Sequence, residues 1–132
     1  MGAKTILVIE DNEMNMKLMR AMLAKGNYNV LEAADAETGI RLAREQHPDL
    51  VLMDIQLPGM DGLSATKIIK GDENLRDIPV FAISGLDMES EKKMAMDIGF
   101  AGYIVKPFSV RSLLETLDEH FRVHRMQGMH DA

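Results

Sequence analysis

The sequence predicts an α/β domain built on a parallel sheet with helices on both faces. Three observations carry that expectation. Short apolar runs alternate with amphipathic helical stretches five times along the 132 residues. The runs are continuously apolar, as in Ile6-Leu7-Val8-Ile9 and Leu50-Val51-Leu52-Met53, which suits strands buried on both faces rather than on one. No repeat, linker or low-complexity segment interrupts the alternation. Crossovers between parallel strands are expected to be right-handed.

Each element has its own signals. Lys4 to Ile9 reads as the first strand and runs into two adjacent carboxylates, Glu10 and Asp11. Asn12 caps a helix whose apolar positions, Met14, Leu18, Met19, Met22 and Leu23, are read as one face. Lys25-Gly26-Asn27 ends it, with Gly26 expected in the left-handed cap position. Tyr28 to Ala33 is a second strand, and Asp35 caps a helix to Glu45 with Ile40, Leu42 and Ala43 for burial. The third strand ends at Asp54, followed by a loop holding Pro58 and Gly59 and a helix starting at Asp61-Gly62. Ile78 to Ile83 forms a fourth strand ending at Ser84-Gly85, with Pro79 confined to its start for want of an N–H. Asp87 to Ile98 reads as a helix stopped by Gly99, and Ala101 to Val105 as a fifth strand ending at Lys106-Pro107. Ser109 caps the last helix, which stripes Leu113, Leu114, Leu117 and Phe121. One domain is expected over residues 1–125, with a disordered tail over 126–132.

Composition narrows the function classes. With 46% hydrophobic and 27% charged residues the chain is an ordinary globular one. It has no cysteine, so no disulfide framework or thiol chemistry. Its first apolar run is too short for a signal peptide or a membrane span, which makes a cytoplasmic location and no membrane insertion the expectation. A net charge of −6 argues against direct contact with nucleic acid. His47, His120, His124 and His130 lack metal-ligand spacing and are read as surface residues.

Four strand ends carry chemistry: Glu10 with Asp11, then Asp54, Ser84 and Lys106. In a parallel sheet these ends share one edge, where ligands of open α/β sheets bind. Three carboxylates about 4 Å apart repel by roughly 4 kcal/mol per pair at an effective dielectric of 20, so such a cluster calls for a cation. Hard divalent ions such as Mg²⁺ or Mn²⁺ take oxygen ligands of this kind. Lys106 adds a point charge and Ser84 a hydroxyl donor, both suited to phosphate oxygens. The set fits an incoming phosphoryl group, with Asp54 able to accept it as an acyl phosphate.

Four motifs in order, Ile-Leu-Val-Ile-Glu10-Asp11-Asn12, Leu-Val-Leu-Met-Asp54-Ile-Gln-Leu-Pro58-Gly-Met-Asp-Gly62, Ala-Ile-Ser84-Gly85 and Tyr103-Ile-Val-Lys106-Pro107, resemble those of the receiver domains of two-component response regulators. The likeness covers roughly residues 4 to 122. It implies the doubly wound (βα)5 sandwich of CheY-like, flavodoxin-like proteins, with strand order 2-1-3-4-5. It implies Asp54 as phosphoacceptor, with Asp11, Asp54 and the Gln56 backbone carbonyl as Mg²⁺ ligands and Glu10 acting through metal-bound water. It further implies that Lys106 and Ser84 contact the phosphoryl oxygens, that Tyr103 is an aromatic switch, and that Lys106-Pro107 is a cis bond. The implied donor is a sensor histidine kinase or histidine phosphotransferase. The implied readout is a protein target on the face spanning residues 88–112, by a monomer or weak dimer acting as a signalling switch rather than an enzyme. Two positions differ from the usual pattern: Gly85 stands where Ala is common, and the acidic pair is Glu-Asp rather than Asp-Asp.

Other readings fit less well. A haloacid-dehalogenase-like phosphohydrolase wants a second Asp two residues after the nucleophile, where this chain has Gln56. A flavodoxin-like FMN site wants a Ser/Thr/Gly-rich first loop, where this chain has Glu10-Asp11-Asn12-Glu13. A receiver-fold binding module that works without phosphorylation is the main alternative, and the chain is either a stand-alone regulator or a receiver from a larger regulator or hybrid kinase.

Overall fold

A computed structural model describes residues 3–57, 59–85 and 89–131, and of 124–131 the helix backbone alone. The elements alternate as β1 (Thr5–Ile9), α1 (Glu13–Lys25), β2 (Asn29–Ala33), α2 (Ala36–Gln46), β3 (Leu50–Asp54), α3 (Gly62–Gly71), β4 (Val80–Ser84), α4 (Glu89–Ile98), β5 (Gly102–Val105) and α5 (Val110–Asp131). All neighbouring strands are parallel, in the order β2-β1-β3-β4-β5. The expected doubly wound topology is therefore the observed one. The start expected for α4 at Asp87, and Pro58 in the loop after β3, lie outside the described residues.

The continuously apolar strands split their side chains between two cores, as the two-residue strand period requires. Leu7, Ile9, Val51, Met53, Val80 and Ala82 face α2 and α3, meeting Ile40, Ala43, Ala65 and Ile69. Ile6, Val8, Leu50, Leu52, Phe81 and Ile83 face α1 and α5, meeting Met16, Met19, Leu23, Leu113 and Leu117. Sandwiched this way, β3 and β4 are buried at every position. That rigid centre carries the residues at its carboxyl end.

The helix starts follow local chemistry. Asn12, Asp35 and Asp61 each accept a hydrogen bond from the backbone N–H three residues on, at 2.9, 2.7 and 2.7 Å. Ser109 Oγ does the same for the N–H of Ser112 at 3.0 Å. Each satisfies an amide that the first helical turn leaves without a partner.

Three local expectations are corrected. The buried stripe of α1 is Met16, Met19 and Leu23, while Met14 and Leu18 are 64% and 50% exposed. Both stripes have helical spacing, and only the seat of α1 on the sheet chooses between them. Gly26 is not the left-handed residue after α1: its φ is −88°, and Asn27 takes φ 64° instead. Asn tolerates that region because its short amide can bond locally. Gly26 is small for another reason, since a Cβ there would lie 2.5 Å from a Leu114 methyl of α5. Finally, His120 is half-buried, its ring edge-on to Phe81 at 5.2 Å between centroids, whereas His47 is exposed as expected. The side chains of His124 and His130 lie outside the described residues.

Candidate functional site

The strand ends meet where the sheet order places them. Ile9 pairs with Met53, Asp54 with Ile83, and Ser84 with Val105. The ladder continues one step beyond the strands, with Glu10 N–H donating to Ala33, Ile55 N–H to Ile83 and Lys106 N–H to Ser84. Backbone pairing thus fixes the roots of Glu10, Asp54, Ser84 and Lys106 along one edge.

Gly62 lets the chain return beneath this edge. Its N–H donates to the Ile55 carbonyl at 3.0 Å. A Cβ at this position would lie 2.6 Å from the Asp54 carbonyl oxygen and 2.8 Å from Ile55 Cα, both backbone atoms that cannot swing aside. The helix start expected from Asp61-Gly62 is therefore also a packing requirement of the site.

Glu10, Asp11 and Asp54 form a carboxylate cluster, with one oxygen of each lying within 4.8 Å of the others. Asp11 is exposed, while Glu10 and Asp54 are only 5% and 6% exposed. Burial, then a hydrogen bond with Asp54, raises the Glu10 carboxyl above its ordinary range. Lys106 Nζ lies 3.2 Å from Asp54 Oδ2 and 3.6 Å from Glu10 Oε2. Asp54 Oδ1 accepts the Gln56 N–H at 2.9 Å, and Glu10 Oε1 accepts the Asn12 N–H at 3.1 Å. The Lys106 ammonium thus pairs with Glu10 and Asp54, two of the three clustered carboxylates. Hard oxygen donors crowded to this degree with insufficient positive charge fit a divalent cation.

Ser84 and Tyr103 are turned to a different partner. The Ser84 hydroxyl, 1% exposed, donates to Glu91 Oε1 of α4 at 2.8 Å. The Tyr103 hydroxyl donates to the same oxygen at 2.5 Å. Burial, then the Glu91 hydrogen bond, raises the Tyr103 phenol above its ordinary range. Glu91 was not singled out from the sequence, because an acid in a charged helical run reads as a solvated face. Its only sequence signal is its place in the first turn of a helix that starts just beyond Ser84. The Lys106-Pro107 peptide bond is cis.

Known proteins resemble this chain in sequence and in fold. A family model described as the response regulator receiver domain matches residues 6–118. This chain belongs to the response regulator receiver family. It is 42% identical over 117 residues to the polar-differentiation response regulator DivK of Brucella ovis, covering 89% of this chain and 95% of that one. The Brucella anthropi protein of the same name is 40% identical over the same length. Among solved structures, the receiver domain of the Pseudomonas aeruginosa sensor histidine kinase PA1611 superposes with a TM-score of 0.82 at 34% identity. The match covers 89% of this chain and 97% of that one, which holds a magnesium ion in its active site cleft. Vibrio cholerae CheY4 superposes with a TM-score of 0.84 at 23% identity, over 89% and 98% of the two chains, which shows the common fold. Receiver domains are signalling modules of two-component systems that bind Mg²⁺ at an acidic site and interact with histidine kinases or phosphotransferases. Among the described residues, no helix is long and apolar enough to cross a membrane.

Proposed function

We propose that this receiver takes a phosphoryl group from a phosphohistidine of a sensor histidine kinase or histidine phosphotransferase onto Asp54. The acyl phosphate then changes the protein partners of the face spanning residues 88–112. The observation that supports this reading is the buried Asp54 carboxylate at a strand end, flanked by two further carboxylates and contacted by Lys106. A carboxylate has about four lone-pair sites, so each Asp54 oxygen keeps room for a reaction beside its present hydrogen bond.

In the transfer an Asp54 oxygen forms a bond to phosphorus as the phosphorus–nitrogen bond to the donor breaks. The donor imidazole, protonated on its other ring nitrogen, keeps the electron pair of that bond and leaves neutral. Lys106 Nζ, already against Asp54, moves its charge onto a phosphoryl oxygen as the carboxylate is consumed. Asp11, Asp54 and the Gln56 carbonyl would hold Mg²⁺ or Mn²⁺, with Glu10 acting through bound water, and the ion would neutralise charge on the phosphoryl oxygens. A groove lined by Leu18, Met22, Pro107 and Phe108 together with Glu10 and Lys106 offers the donor a surface beside the site. Leu18 and the neighbouring Met14 are exposed there, which suits an apolar partner surface.

Acetyl phosphate with Mg²⁺ should add one phosphoryl group to the wild-type chain, read by intact mass, and none to Asp54→Asn. Labelling of Asp54→Asn equal to wild type would remove Asp54 from this role. Absence of labelling in wild type, with a competent receiver run in parallel, would favour a module that works without phosphorylation.

A further inference from the structure

Glu91 joins Ser84 at the end of β4 and Tyr103 within β5 to α4 through one oxygen. It is half-buried in the first turn of α4, and its Oε1 accepts from both Ser84 Oγ and Tyr103 OH. Both hydroxyls reach the same carboxylate oxygen, so the three groups form one cluster. Lys92 Nζ sits 6.0 Å from the centre of the Tyr103 ring. The rest of α4 is thinly anchored: Ala95 is its buried residue, and Met94 and Met96 are 50% and 53% exposed. Helices with few buried apolar contacts lie at the low-stability end of a fold. The Glu91 bonds tie the first turn of α4 to β4 and β5.

A serine hydroxyl has one hydrogen to give. While a carboxylate takes that hydrogen, a phosphoryl oxygen cannot. We propose that Glu91 is an intramolecular competitor for Ser84: its carboxylate holds the hydroxyl in the resting state, and a phosphoryl group on Asp54 must capture Ser84 from it. The inference rests on the reading of Asp54 as acceptor. A phosphoryl group adds strong acceptor oxygens beyond the strand ends, and these draw the hydroxyl away from Glu91. Losing Ser84 weakens the cluster that also holds Tyr103, so the first turn of α4 and the phenol are released together. Glu91 thereby converts an event at Asp54 into a change on the α4 surface.

The test uses the full chain with beryllofluoride and Mg²⁺ as a phosphoryl mimic. Bound-fluoride NMR reads occupancy at Asp54, and amide shifts over α4 and β5 read the response. Glu91→Ala should bind beryllofluoride about tenfold more tightly, the worth of one charge-assisted hydrogen bond. Its unliganded spectrum should already be displaced toward the bound one. Glu91→Gln, whose amide oxygen is a weaker neutral acceptor, should fall between the two. In a Ser84→Ala background the gain should vanish, because no hydroxyl is left to contest. A gain that persists there comes from charge alone and overturns the competition, as does equal affinity in wild type and Glu91→Ala. With Tyr28→Phe leaving Tyr103 as the single tyrosine, Glu91→Ala should lower the pH at which the phenol ionises. An unchanged midpoint would show that the contact is absent in solution. Bound fluoride missing from wild type would instead overturn the reading of Asp54, an outcome distinct from fluoride bound without any Glu91 effect.

Discussion

Replacing Asp54 by asparagine should make the metal-free domain more stable while weakening its hold on Mg²⁺. The cluster oxygens of Glu10, Asp11 and Asp54 lie within 4.8 Å of one another, a separation at which unit charges repel by roughly 3.5 kcal/mol per pair at an effective dielectric of 20. Against its two repulsions, Asp54 has an ion pair with Lys106 at 3.2 Å, of roughly 5 kcal/mol on the same scale, and a Gln56 N–H bond at 2.9 Å that an asparagine oxygen can keep. Solvent screening at exposed Asp11 and part-exposed Lys106 shrinks both sides, leaving a net gain of about 1–2 kcal/mol on neutralisation. Lys106 remains beside Glu10 in the variant, so no buried charge is stranded. For a domain of this size the gain corresponds to about 3–8 °C in melting temperature. The assay is a pair of thermal melts, one in chelator and one across a Mg²⁺ series. Wild type should gain about 1.4 kcal/mol when Mg²⁺ stands at ten times its dissociation constant. Asp54→Asn should start higher and gain less. A variant that melts below wild type in chelator, with both gaining equally from Mg²⁺, would refute the charge-crowding account.

Three further outcomes follow from the structure. Because burial and Asp54 raise Glu10 above 4.5, the folded state keeps that proton longer than the unfolded chain. Metal-free stability should therefore fall as pH rises above that value, and the fall should flatten in Asp54→Asn, as read by urea unfolding between about pH 4 and 7. Thr66 Oγ1 is buried with no hydrogen-bond partner among the described residues, so Thr66→Val should raise stability by about 1 kcal/mol in the same unfolding assay. Gly62→Ala should lower it by about 2–3 kcal/mol and weaken Mg²⁺ binding, because its Cβ drives into the backbone of Asp54 and Ile55. Unaltered melting and Mg²⁺ affinity in Gly62→Ala would show that the loop relaxes freely.

Much of this protein is legible in one dimension. Strand runs apolar at every position imply burial on both faces, and the observed sheet has its two cores on alternate residues of those strands. Helix starts announce themselves because a cap is a bond across three residues, as at Asn12, Asp35 and Asp61. The gathering of Glu10, Asp54 and Lys106 follows from parallel topology alone, since that topology sends every strand end to one edge. The order of the strands came from family resemblance, and the structure agrees with it.

Other features depend on contacts between segments far apart in the chain, and no local pattern encodes them. Two apolar stripes of α1 have equal periodicity, and the surface of the sheet selects Met16, Met19 and Leu23. Gly26 is small because α5, some ninety residues later in sequence, packs a Leu114 methyl against it. His120 is drawn against Phe81 of β4 by the seat of α5. Glu91 is the sharpest case. In the sequence it is one acid among the charges of α4, indistinguishable from a solvated one. Folding brings it against β4 and β5, where a single oxygen takes hydrogen bonds from Ser84 and Tyr103. Burial and backbone pairing are properties of local pattern, whereas the choice of hydrogen-bond partner depends on distances set only when the elements have packed.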